Sequence, residues 1–172
     1  MVGGTLTAGT ITIGDGMQSV QLFAGDQCSV GSVETTSTTV DVSLESSGDL
    51  RLLGSSYQAP ILTFTSPETI HFLANTATIV SDSAQFEFFG EIALNTLTIG
   101  NSELQSPAGI VSGEELIIMG TMILNVHQIS AAVRVESDAV VSGSAHIFQM
   151  NVVGDARVAP TAIDISAAPS ME

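Results

Sequence analysis

The chain has no lysine and no tryptophan, one cysteine, one tyrosine, and three cationic side chains, all arginine, against 18 acidic ones. Each shortage closes a class of chemistry. Without lysine there is no P-loop lysine, no Schiff-base lysine and no lysine general base. Three cations in 172 residues leave no basic footprint for a nucleic-acid backbone or an anionic membrane. One cysteine forms no intrachain disulfide and supplies no cysteine-based zinc site. No apolar run reaches the roughly 18 residues of a membrane span, so no transmembrane helix is expected.

What remains is an acidic, apolar chain rich in small residues. It is 44% apolar and 12% charged, with a net charge of −15, 16 Gly, 21 Ser and 17 Thr. That is too apolar for simple disorder, and the length suits a single domain over 1–172 with its own core. The opening Met-Val-Gly-Gly-Thr-Leu-Thr-Ala-Gly-Thr has neither a positive n-region nor an apolar stretch. A secretory leader is therefore not expected, and synthesis in a cytoplasm is. None of the asparagines begins a glycosylation sequon.

Alternation of apolar and polar residues runs through the first two-thirds of the chain. It is seen in Ile11-Thr12-Ile13, Val40-Asp41-Val42-Ser43-Leu44, Leu62-Thr63-Phe64, Ile70-His71-Phe72, Phe86-Glu87-Phe88 and Leu97-Thr98-Ile99. Period two predicts strands with one face in a core. Gly, Asn, Asp and Ser punctuate the runs, as at Gly14-Asp15-Gly16 and Ser46-Ser47-Gly48-Asp49. The segment from Glu114 to Leu124 contains Gly120 and β-branched isoleucines, so it reads as strands 115–119 and 121–126 rather than a helix. The spacing changes at Pro107-Ala108-Gly109, which marks a sub-boundary near 107–109. Beyond it apolar residues recur near Val111, Ile117, Ile123, Ile129, Val135, Val141, Ile147, Val153, Val158 and Ile163, with Val133 and Met150 off that grid. A steady six-residue step predicts an all-β, short-strand β-solenoid whose turns stack like on like. The alternative is a β-sandwich or jelly roll.

The chemical residues form no motif. His71, His127 and His146 stand at no metal-site spacing. Val141-Ser142-Gly143-Ser144-Ala145 lacks the first glycine of a nucleophile elbow. Glu114 and Glu115 are adjacent and so face opposite ways in a strand. Asp15 and Asp26 in Gly-flanked turns are the positions where calcium would bind, but they read as turn residues. Arg51, Arg134 and Arg157 each stand two residues from a carboxylate, Asp49, Glu136 and Asp155, so each pair shares a solvent face. The expectation is no catalytic residue, no metal site and no cofactor. If Phe86 and Phe88 face the core, Phe89 faces out, where it either contacts another chain or covers a neighbouring strand.

Val140-Val141-Ser142-Gly143-Ser144-Ala145 and Val152-Val153-Gly154-Asp155-Ala156-Arg157-Val158 resemble the short turns of bactofilin-type β-helical filament proteins over about a third of the chain. The whole acidic, Gly/Ser/Thr/Ala-rich chain resembles decoration, or cement, proteins of tailed-phage virions. That second resemblance implies a homo-oligomer, commonly a trimer, bound to a capsid shell in the virion. The function expected is a non-enzymatic structural protein that associates with itself and docks on a larger assembly, without nucleic-acid or membrane partners. A bactofilin-like filament is the alternative, and a carbohydrate-binding or adhesin module comes from a different class.

Overall fold

The computed structural model describes residues 4–159 and the strand backbone of 162–165 and 170–171. The chain winds into a β-solenoid of about 8 turns, with no helix among the described residues. The first rung is β1 (Leu6–Ala8), β2 (Ile11–Ile13) and β3 (Ser19–Ala24). The second is β4 (Cys28–Val30), β5 (Val33–Thr35) and β6 (Asp41–Ser46), and the third β7 (Leu50–Leu52), β8 (Ser56–Gln58) and β9 (Ile61–Ser66). The fourth is β10 (Thr69–Phe72), β11 (Thr76–Val80) and β12 (Ser83–Phe88). Then the corners become extended. β13 (Glu91–Ile99) covers two sides, and β14 (Ser102–Ile118), β15 (Thr121–Val135) and β16 (Val140–Val152) each run round three. Short strands β17 (Arg157–Val158), β18 (Ala162–Ile165) and β19 (Ser170–Met171) pair with β16.

Each strand lies parallel and in register over the strand one turn earlier. On the first side Leu6 pairs with Cys28, Cys28 with Leu50, and Leu50 with Ile70. The column continues through Ile92, Val111, Ile129 and Ile147. Every pairing is parallel, which disposes of the sandwich and jelly-roll alternative, since those sheets are antiparallel. The step along this column is 22 residues from Leu6 to Cys28 and 18 from Val111 to Ile129 and from Ile129 to Ile147. A three-sided rung of 18 residues has six per side, which is the step seen in the sequence. The spacing change near 107–109 is this shortening, and β14 carries the stack through it.

The core is a set of such columns, and each buried aliphatic contributes about 1.5–3 kcal/mol. The centre is aromatic. Phe64 and Phe86 are partners in adjacent rungs and stack at 4.7 Å and 13°. Tyr57 meets Phe64 and Phe72 edge-on, each at 6.2 Å. Its hydroxyl donates to Gly31 O at 2.7 Å and accepts from Gly54 N at 3.0 Å, and burial pushes the phenol above its ordinary range.

The serines serve the corners. Ser46 Oγ donates to Asp26 O in the rung before and accepts from Gly48 N. Ser66 Oγ donates to Gly48 O and accepts from Glu68 N. Ser81 repeats this with Pro60 O and Ser83 N. Turning the chain frees backbone groups that a strand would pair, and a short hydroxyl side chain satisfies them locally.

Cys28 occupies a column position between Leu6 and Leu50 and is fully buried, with its thiol pushed up by desolvation. It should stay unmodified by a disulfide reagent at mildly alkaline pH and react fully once denatured. Rapid reaction of the native protein would show that the first rungs open readily.

Candidate functional site

Among the described residues the most exposed large apolar side chain is Phe89, at 78%. It sits where the third side turns into the first. β12 puts Phe86 and Phe88 into the core and Gln85 and Glu87 into solvent. At the end of that strand the chain turns, and Phe89 is left outside. Its neighbours come from the rungs on either side. Thr63, Gln85 and Glu103 form one outward ladder, and Thr65, Glu87 and Gln105 the next. Pro67 and Pro107 occupy the same corner in the adjoining rungs. Phe89, Thr65, Gln85, Glu87, Glu103, Gln105 and the two prolines wall an open cleft of about 530 Å³.

The cleft is rich in acceptors. Gln105 Nε2 donates to Glu103 Oε1, and Asn125 Nδ2 donates to Gln105 Oε1 at 3.0 Å, so the Gln105 amide is engaged at both ends. Glu87 has no partner among the described residues. Ser106 lines the cleft, is 2% exposed, and its hydroxyl is unpaired. The equivalent Ser46 and Ser66 reach carbonyls in the rung before, whereas Ser106 reaches none. No arginine lines the cleft.

The other candidates lie apart. Asp49 receives Arg51 Nη2 at 3.8 Å and His71 Nε2 at 3.5 Å on the first side. Arg134 Nε meets Glu136 at 2.7 Å on the second. The expected pairing of Arg157 with Asp155 is not among the ion pairs of the described residues, although both border one surface depression. His127 is exposed at a corner, and His146 packs edge-on against Phe148 at 4.9 Å. Asp15 accepts from Thr36 Oγ1 at 3.4 Å, while Asp26 stands at a different corner and offers its carbonyl to Ser46. Ser142 points outward on β16, away from any histidine partner that is recorded. Glu114 and Glu115 lie on the long β14. Among the described residues no three His, Cys, Asp or Glu side chains gather as a metal site would require.

Reading the sequence found Phe89 but missed Glu87, Glu103, Gln85, Gln105 and the two prolines. Their meeting depends on the offset between rungs, which is 22 residues from Thr63 to Gln85 and 18 from Gln85 to Glu103. No fixed period in the sequence signals that combination. No family model, no curated protein and no solved structure matches the chain.

Proposed function

We propose that the chain is a non-enzymatic structural protein that associates with itself along the solenoid axis and docks on a larger assembly. The observation that carries this reading is the outer edge of the first rung. β1, β2 and β3 pair with β4, β5 and β6 on one side. Among the described residues nothing pairs with their other side. Edge strands normally carry lysine, proline, inward charge or a bulge that prevents pairing with another chain. Leu-Thr-Ala, Ile-Thr-Ile and Ser-Val-Gln-Leu-Phe-Ala contain no charge and no proline. Within residues 1–25 the one charged side chain is Asp15, in a chain of net charge −15. Like charge therefore opposes contact least at this end. Leu6, Ile11, Val20 and Leu22 are only partly buried there, and a solenoid end needs a polar cap to stay apart from its neighbours.

Two versions share this chemistry. A virion decoration protein, made in the host cytoplasm, would form a discrete oligomer such as a trimer on a capsid shell. A bactofilin-like filament would grow along the axis, and the bare edge favours this second version. Electron microscopy separates them.

Light scattering from about 0.1 M to about 1 M sodium chloride tests the driving force, because the range of exposed charges falls from about 10 Å to about 3 Å. Association should strengthen with salt and on acidification towards about pH 4, where carboxylates lose their charge. Val20→Lys, which puts a cation at the bare end, should raise the concentration needed for association by about tenfold or more. A 17.7 kDa monomer at high salt would overturn the proposal. Dissociation at high salt would point to bridges through Arg51, Arg134 or Arg157, and dissociation in chelator alone to bound calcium.

A further inference from the structure

We propose that the cleft beside Phe89 receives an arginine side chain of a protein partner, which makes it the site through which the chain docks on a larger assembly. This rests on reading the chain as a docking structural protein, and it adds where and by what chemistry.

Glu87 and Glu103 are acceptor-only carboxylates. They are diagonal neighbours on adjacent rungs, since Glu87 lies over Gln105 and Glu103 stands two residues before it. Diagonal neighbours in a sheet are about 7–8 Å apart, close enough for one planar cation to reach both. One of the two Gln105 N–H donors is spent on Glu103 and its oxygen accepts from Asn125, so the amide is held in place and the two carboxylates dominate the cleft. Beside these acceptors stands a flat aromatic face, Phe89, flanked by Pro67 and Pro107.

A ligand that fits must carry several donors, positive charge and a plane that stacks. Guanidinium has five N–H donors in a rigid fork and stacks on aromatic rings. The lysine ammonium offers neither the plane nor the fork. An anionic ligand meets two carboxylates and no cation. Nor can the chain readily fill the cleft itself. Arg51 and Arg134 are held by their own carboxylates, Arg157 stands three rungs beyond Glu103 on the third side, and there is no lysine. The basic group therefore comes from a partner chain.

The test uses the full chain, isotope-labelled, titrated with acetyl-Arg-Pro-Arg-amide and with its lysine analogue at about 0.1 M salt. Amide shifts should concentrate at 65–67, 85–90 and 103–107, and the arginine peptide should bind more tightly than the lysine one. Phe89→Ala should weaken binding about two- to fivefold, the equivalent of an exposed cation–aromatic contact. Glu87→Gln should weaken it by about fivefold or more, as loss of a charge-assisted bond requires. Glu34→Gln, on the second side of the solenoid, should leave it unchanged. Phe89 is exposed, so its alanine variant should fold, and circular dichroism checks this. Equal binding of the two peptides, unchanged binding by Phe89→Ala, or shifts spread over every acidic side would overturn the site. Light scattering on the same samples separates the two proposals. Localised arginine binding by a chain that stays monomeric would keep the cleft and remove self-association. Axial assembly without peptide binding would do the reverse.

Discussion

Replacing Phe64 by alanine should cost about 3–5 kcal/mol of stability, the usual range for a buried aromatic. The ring has no solvent exposure and lies mid-stack. Leu44 is its partner in one neighbouring rung and Phe86 in the other. Phe64 meets Phe86 at 4.7 Å, Tyr57 at 6.2 Å and Phe72 at 6.4 Å. Truncation removes transfer energy, leaves a cavity, and forfeits aromatic contacts worth about 0.5–1.5 kcal/mol each. The walls are strands pinned by ladders on both sides, so they cannot move in to fill the space. For a chain of this size the melting temperature should fall by roughly 10 °C or more. Urea unfolding followed by tyrosine emission would report it, because Tyr57 touches the ring directly. A loss under about 1 kcal/mol would mean that the rungs slide to close the gap. Phe89→Ala is the contrast, and should stay within about 0.5 kcal/mol of the parent.

The fold was legible because a parallel solenoid repeats one environment. Each side of each rung presents alternating inward and outward positions, so Ile70-His71-Phe72 and Phe86-Glu87-Phe88 declare their faces locally. The six-residue step was legible for the same reason, since in the shorter rungs a side is six residues long. The grid failed where the rungs are irregular. Ile117 and Ile123 face outward, while Leu116, Ile118, Met122 and Leu124 fill the core. The cause is one extra residue: β14 takes four steps from Val111 to Glu115 where β15 takes three from Ile129 to Ala132. An inserted residue turns every following side chain over until another irregularity restores the phase. Val133 and Met150, which fell off the grid, are therefore core residues.

The strands expected at 115–119 and 121–126 form and part at Gly120, but each belongs to a longer strand. β14 and β15 bend at corners without leaving extended conformation, so no turn signal marks where one side ends. The cleft was the least legible feature. Its carboxylates and Phe89 are brought together by stacking across rungs of unequal length, and only Phe89 declared itself, by breaking the alternation after Phe88. The bare first edge is written in the sequence as an absence of charge and proline. That absence has meaning only once β1, β2 and β3 are seen to be the outermost of the described rungs.

Two columns of large inward side chains meet glycine in the shorter rungs, and Gly143→Ala should show what the glycine supplies. One runs through Leu22, Leu44, Phe64, Phe86, Leu104 and Leu124 to Gly143. Another passes from Leu94 to Gly113. Both glycines have positive φ, 106° at Gly143 and 148° at Gly113. A Cβ built on Gly143 would lie 2.0 Å from Leu124 O, and one on Gly113 the same distance from Leu94 O. The obstacle is backbone in each case, so no side-chain rotation relieves it. At both positions the chain passes so close to the backbone of the rung before that a side chain has no place. Alanine at 143 adds backbone strain of about 1–3 kcal/mol and overpacking of about 1–3 kcal/mol. The loss should appear first in hydrogen exchange. Amides of β16 and of the facing β15 should lose protection, while those of β6 and β9 keep theirs, since each rung of a solenoid leans mainly on its neighbours. Gly14→Ala is the control: nothing lies within 4 Å of its added methyl, and its φ is not in the positive region. That variant should be neutral or slightly more stable. Equal, small effects at both positions would mean that the strands move apart to admit a side chain at 143.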